Sequence, residues 1–143
     1  MKQQRIGYTK HYIMKAKANK IRNATKVEED GIKFRSKLEL YTYKALKKAG
    51  INAEYEPKHF EILPKFLYKL EKVRAMVYTP DFVGNNYIIE CKGFANDAFP
   101  LRFKMFKYTL KDEKDPPDIY LVRNQKEVDN VITTIKNKQH GIN

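Results

Sequence analysis

The sequence predicts an α/β domain in which a mixed sheet is flanked by helices. Three observations predict it. A helical period over 36–49 gives way at Gly50 to three segments rich in aromatic and β-branched residues. A second helical period follows over 99–110. An apolar run, Asp118-Ile-Tyr-Leu-Val-Arg123, then precedes a last amphipathic stretch. The order reads α-β-β-β-α-β-α.

Taken in order, Glu29-Asp-Gly-Ile-Lys-Phe34 reads as a turn and a short extended piece. Ser36 begins the first helix, whose Leu38, Tyr41, Ala45, Leu46 and Ala49 recur at helical spacing before Gly50 stops it. Pro57, Pro64 and Pro80 exclude long helices from the next stretch. Residues 53–63, 73–83 and 87–91 are expected as strands, with a hairpin turn at Gly84-Asn85-Asn86. Phe99, Phe103, Phe106 and Leu110 form one apolar stripe, flanked by Lys104, Lys107 and Lys111. Pro116-Pro117 breaks that helix. Asn124 and Glu127 read as a capping box for the last one, with Val128, Val131, Ile132 and Ile135 on its buried face.

The chain of 143 residues suits one domain, and 42% hydrophobic residues suffice for a core. Lys+Arg numbers 29 against 17 for Asp+Glu, a net +12, which favours polyanionic partners and nucleic acid first. Residues 1–26 hold Lys2, Arg5, Lys10, Lys15, Lys17, Lys20, Arg22 and Lys26 and no acid, so they read as a basic arm preceding a single domain over 27–143. One cysteine excludes an intramolecular disulfide and a multi-cysteine zinc site. His11, His59 and His140 are scattered without a second ligand at useful spacing. No apolar run approaches a membrane span, and the N-terminus lacks the apolar core of a signal peptide. A cytoplasmic, reducing compartment is therefore expected, with no membrane partner.

The informative stretch is Tyr78-Thr-Pro-Asp-Phe-Val-Gly-Asn-Asn-Tyr-Ile-Ile-Glu-Cys-Lys-Gly93. A two-residue turn at Asn85-Asn86 pairs Gly84 with Tyr87 and, three steps outward, Asp81 with Glu90. A turn at Gly84-Asn85 makes them diagonal, still on one face. Facing residues have Cβ atoms ~4.5–5.5 Å apart. Two charges at that separation repel by about 3 kcal/mol at an effective dielectric of ~20. Lys92 falls on the same face by strand alternation and offsets part of this. A divalent cation offsets more, and hard oxygen ligands suit Mg²⁺, with Mn²⁺ as substitute. The Cys91 side chain points to the opposite face, while its backbone carbonyl can face the metal.

Pro80-Asp81 followed by Glu90-Cys91-Lys92 across a hairpin, after a helix carrying Glu39, resembles the PD-(D/E)xK nuclease superfamily. Phe34-Arg-Ser-Lys-Leu-Glu39, Glu54-Tyr-Glu56, Tyr78-Thr-Pro-Asp-Phe82 and Glu90-Cys-Lys-Gly93 resemble phage endonuclease I-type Holliday junction resolvases in order and spacing. Gly31-Ile-Lys-Phe34, Pro64-Lys-Phe66 and Lys92-Gly-Phe94 also resemble small phage and prophage nucleases. The likeness covers roughly residues 29–123. It implies a restriction-endonuclease-like core and a metal-dependent endodeoxyribonuclease acting on branched DNA as a homodimer. It also implies that Asp81 and Glu90 ligate the metal and that Lys92 positions or deprotonates the attacking water. Glu39 would reach the same site from the first helix.

Glu39 has a second reading, because Ser36-Lys-Leu-Glu39 is also a capping box. Binding to DNA is expected from Arg35, Lys37, Arg102, Lys104 and Lys107, and from Lys15, Lys17, Lys20 and Arg22 of the arm. Two rival readings stay open: a non-catalytic basic nucleic-acid-binding protein, and an exonuclease or nickase of the same fold.

Overall fold

The computed structural model describes residues 26–94 and 96–141. The basic arm, with Lys15, Lys17, Lys20 and Arg22, lies outside the described residues apart from Lys26. The described chain opens on an antiparallel hairpin, β1 (Val27–Glu29) and β2 (Ile32–Phe34), turned at Asp30-Gly31. Both turn residues have positive φ, 52° and 77°, which Asp-Gly tolerates at low cost. Phe34 is fully buried, with its ring 5.1 Å from that of Tyr43 and 4.8 Å from that of Tyr55.

Helix α1 (Lys37–Ala49) starts at Ser36 and ends at Gly50, whose φ of 67° is left-handed. The Gly50 amide donates to the Lys47 carbonyl and the Ile51 amide to that of Leu46, so the last turn's acceptors are satisfied. Strand β3 (Ala53–Tyr55) follows. Next come β4 (Phe60–Leu63), β5 (Phe66–Tyr68), β6 (Glu71–Val73) and β7 (Met76–Tyr78). These four make a nested ribbon, with β4 paired to β7 and β5 to β6, all antiparallel. Strands β8 (Phe82–Gly84) and β9 (Tyr87–Cys91) form the hairpin at Asn85-Asn86. Helix α2 (Phe99–Leu110), strand β10 (Asp118–Val122) and helix α3 (Gln125–Gln139) complete the order.

The architecture is mixed α/β with a mixed sheet and helices on both faces, in strand order β10-β9-β8-β3. Strand β10 runs parallel to β9, and the other two pairings are antiparallel. Period-two alternation divides the sheet side chains between two cores. Phe82, Tyr87, Ile89 and Cys91 pack towards α1 and α3 with Leu46, Val128 and Ile132. Ile88 faces α2 with Phe99, Phe103, Phe106 and Leu110, and the β4–β7 ribbon adds Ile62 and Tyr78 to that second core. Tyr78 stacks on Phe106 at 4.5 Å and 13°. Among the described residues no helix is long and apolar enough to cross a membrane.

Two expected strands are corrected. Residues 53–63 break where Glu56 adopts a φ of 45° before Pro57, and 73–83 break at Thr79-Pro80. Proline has no N–H for a ladder and restricts the residue before it. The chain therefore leaves the sheet after β3 and rejoins it at β8, with the ribbon between. The β5–β6 hairpin has no counterpart in the expected order, because all three residues of β5 are exposed and carry no burial signal.

Gly84 fixes the register of the β8–β9 hairpin. A Cβ there would collide with the Tyr87 ring, whose hydroxyl donates to the Asn52 carbonyl at 2.6 Å. Gly84→Ala is expected to lose about 1–3 kcal/mol in chemical denaturation, the usual cost of overpacking. In a Gly84→Ala/Tyr87→Ala double variant the two losses should fall short of additive, since the collision is then removed.

Candidate functional site

The site lies at the end of β8 and β9, on the face covered by α2. Phe82 pairs with Ile89, Val83 with Ile88 and Gly84 with Tyr87, so the Asn85-Asn86 turn is the one formed. One step beyond Phe82 and Ile89 on the same register, Asp81 stands opposite Glu90. Both are buried, each 6% exposed. Asp81 is held from both sides. Its carbonyl accepts from the Glu56 amide at 2.8 Å, and its Oδ2 accepts from the Cys91 amide at 2.7 Å. Its own amide donates to Glu90 Oε2 at 3.4 Å. Each carboxylate thus takes an amide from the opposite strand, which leaves the second oxygen of each free of a backbone bond.

Electrostatics follow from that burial. Desolvation, then the charges of Glu90 and Glu39, raise the Asp81 pKa well above the carboxylate range. Desolvation also raises Glu90; Lys92, among the groups that oppose the rise, offsets only part of it. The buried phenol of Tyr78 lies beside Glu90 without a partner of standard hydrogen-bond geometry, and burial pushes its pKa up. Lys92 is half-buried, its Nζ 4.8 Å from the centroid of the Phe99 ring on α2. Its amide donates to the Val122 carbonyl at 2.8 Å, so β10 sets where it leaves the sheet.

Cys91 points away from the acids into the first core, its Sγ 3.3 Å from Thr42 Oγ1. Because the Lys92 amide faces β10, alternation turns the Cys91 backbone groups towards β8, the side of Asp81.

Glu39 enters from the α1 side. Its Oε1 accepts from the Ser36 hydroxyl at 2.9 Å. Its Oε2 accepts from the Arg35 amide at 2.9 Å and the Tyr55 hydroxyl at 2.6 Å. The Glu39 amide donates to Ser36 Oγ at 3.2 Å, which forms the Ser36 cap, while the Glu39 carboxylate takes the Arg35 amide in place of the Ser36 amide of a full box. The cap geometry is therefore formed, and the same buried carboxylate is close enough to Asp81 to raise its pKa.

The cationic candidates divide between two sides. Arg35 pairs with Glu56 and helps to lower the Asp81 pKa, and Lys37 is exposed on the first turn of α1. Arg102 of α2 donates to the Val77 carbonyl of the ribbon. Lys104 is exposed, and Lys107 lies 4.4 Å from the centroid of the Phe103 ring.

Among the described residues no group of three or more His, Cys, Asp and Glu side chains is arranged to hold a metal ion. What the site offers is two buried carboxylates, both with pKa values raised chiefly by desolvation, and a neighbouring backbone carbonyl. That oxygen set fits Mg²⁺, which is commonly held by one or two carboxylates and completes its shell with water and phosphate oxygens. Tyr55 and Tyr78 escape sequence reasoning. Their places beside Glu39 and Glu90 are set by tertiary packing, and no spacing rule signals them.

The family model described as "Protein of unknown function (DUF1064)" matches residues 9–127. The chain belongs to that family. No curated protein matches the sequence, and no solved structure matches it. The matched span of this DUF1064 member takes in Glu39, Asp81, Glu90 and Lys92.

The acids generate a pH prediction for the metal-free protein. An acid whose pKa is raised on folding keeps its proton in the folded state after the unfolded chain has released it. Stability from the pair is therefore greatest below the unfolded value near 4 and is lost as pH rises towards the raised values. The thermal midpoint should fall from pH 5 to pH 8 in EDTA, and Asp81→Asn should flatten that fall, gaining about 1–3 kcal/mol at pH 8. Separately, Ser36→Ala should cost about 1 kcal/mol through the lost cap, measured by urea denaturation.

Proposed function

We propose that this protein is a metal-dependent endodeoxyribonuclease of the PD-(D/E)xK type. The observation that carries the reading is the buried Asp81–Glu90 pair, face to face on one sheet surface with Lys92 two residues beyond Glu90. A purely structural role would leave two desolvated acids opposed, with Lys92 and Arg35 as partial counter-charges that do not bring either pKa back to the carboxylate range. The element order α1-β3-β8-β9-α2-β10, with three antiparallel-linked strands and a parallel fourth, agrees with a restriction-endonuclease-like core.

In this reading Asp81, Glu90 and the Cys91 carbonyl hold Mg²⁺, or Mn²⁺ in its place. Held there, such an ion would supply an acidified water and charge compensation at the scissile phosphate. The protein's own groups do the rest. The Cys91 amide fixes Asp81 Oδ2, so its other oxygen is aimed without a rotamer search. Lys92 leaves the sheet on the same face, where it positions the attacking water, takes its proton, or stabilises the charge that builds up on the phosphate. The Phe99 ring beneath Lys92 limits where its amine can go. Glu39 adds negative charge from behind the sheet and holds the start of α1.

The substrate in this proposal is branched DNA, with a homodimer presenting two centres to two strands. Among the described residues no element resembles a reader of base edges, so in this proposal selectivity rests on DNA shape and phosphate contacts. Arg35, Lys37, Arg102, Lys104 and Lys107 supply such contacts around the site, together with the arm.

Three expected outcomes test the reading. Lys92→Ala should lower Mg²⁺-dependent cleavage by about 10²–10⁴-fold while DNA affinity in EDTA stays within a factor of two. Asp81→Ala should abolish both cleavage and calorimetric Mg²⁺ binding; cleavage at the wild-type rate would overturn the assignment. On a panel of linear duplex, single strand, flap, nicked and four-way-junction DNA, paired symmetric nicks in the junction are the expected pattern. Equal cutting of all substrates would remove the branch selectivity.

A further inference from the structure

The β5–β6 hairpin lies outside the site and has a two-sided chemistry of its own. It turns at Lys69-Leu70, where Lys69 takes a φ of 56°. The register pairs Phe66 with Val73, Leu67 with Lys72 and Tyr68 with Glu71. Pairing one step outward sets Lys65 opposite Arg74. One face therefore carries Lys65, Lys72 and Arg74 around Leu67. The other carries Phe66, Tyr68 and Val73, with Glu71 as the only acid between residues 65 and 74.

Leu70 at the tip is 98% exposed, Leu67 66% and Tyr68 61%. So much apolar surface at one projecting tip marks a contact site. Among the described residues Lys65, Lys72 and Arg74 form no ion pair, although like charges facing across a strand pair repel. A polyanion removes that repulsion. A second copy docking on the same face would bring three cations against three and increase it.

We infer that this hairpin is a nucleic-acid wedge: its cationic face lies along phosphates while Tyr68 and Leu70 pack against unpaired bases at the tip. Aromatic stacking on exposed bases tolerates any sequence, and an apolar wedge needs bases already unstacked or easily parted. The ribbon also ties the hairpin to the candidate centre. Strand β7 runs through Thr79-Pro80 directly into Asp81, so Arg74 lies at most about 23 Å from Asp81 along the chain. That is roughly seven steps of one DNA strand.

The inference concerns binding and does not require hydrolysis, so its test separates it from the nuclease proposal. The full chain is titrated in EDTA, by fluorescence anisotropy, against labelled single-stranded, junction and blunt duplex DNA. Tyr68→Ser/Leu70→Ser is expected to weaken single-strand and junction binding by about tenfold and to leave blunt duplex binding nearly unchanged. Lys65→Gln/Lys72→Gln/Arg74→Gln is expected to reduce the salt slope on duplex by about 2 to 3. Thermal midpoints within a few degrees of wild type establish that both variants fold. Wild-type affinity and slope in both folded variants would overturn the inference. So would a change from dimer to monomer in sedimentation, with monomer affinity for every DNA unaltered, since the hairpin would then be a protein contact. Loss of Mg²⁺-dependent cleavage from the wild-type protein would leave these binding outcomes intact.

Discussion

Two carboxylates opposed across β8 and β9, each almost shut off from water, are the constraint to which the surrounding structure responds. Strand pairing brings Asp81 to Glu90, and the buried side chains of Phe82 and Ile89 on the other face prevent the strands from sliding apart. A one-residue slip of either strand would turn its member of that pair out of the first core and put the acids on opposite faces. The register that builds the first core is thus the register that crowds the acids. Two amide donors and the Lys92 charge relieve part of the crowding, but burial still wins for both groups. Local unfavourable electrostatics held in place by a well-packed surround is the pattern of a site under functional constraint.

The sheet works as a partition. On one side α1 and α3 pack against Phe82, Ile89 and Val122; on the other α2 and the ribbon enclose Ile88 and Tyr78. Asp81, Glu90 and Lys92 emerge on the α2 side, whereas Glu39 comes from the α1 side. Glu39 acts on Asp81 through its charge at the strand ends, where the partition stops, but does not join the two acids in a three-carboxylate group. Arg35 and Lys37 lie at the start of α1 on one side of the sheet, and Arg102, Lys104 and Lys107 lie on α2 at the other.

Much of this was legible in the sequence because it depends on local geometry. Asn85-Asn86 as a turn, strict alternation from Asp81 to Lys92, the phenylalanine stripe of α2 and the caps at Ser36 and Asn124 all follow from short-range rules. The ribbon was not legible. Residues 53–63 and 73–83 have strand composition throughout, and only tertiary structure shows that the first is divided between two sheets at Pro57 and the second among three, at 74–75 and at Pro80. The β5–β6 hairpin escaped because exposed strands carry no burial period. Glu39 was ambiguous because a capping role and a reach towards Asp81 need the same residue; its hydrogen bonds commit both carboxylate oxygens to Ser36, Arg35 and Tyr55, and it acts on Asp81 through its charge alone. The places of Tyr55 and Tyr78 depend on packing between distant segments.

Strand β10 lies beside β9 only after the chain has passed through α2 and the loop that follows it, and the Lys92 amide depends on Val122 for its partner. Parallel pairing of this kind closes late, because a long loop must be ordered first. During synthesis the two acids can therefore pair as soon as β9 is made, but the lysine is not anchored until residue 122 has left the ribosome. The anchor of Lys92 thus comes after the pairing of the acids, from a segment that contributes no side chain beside them.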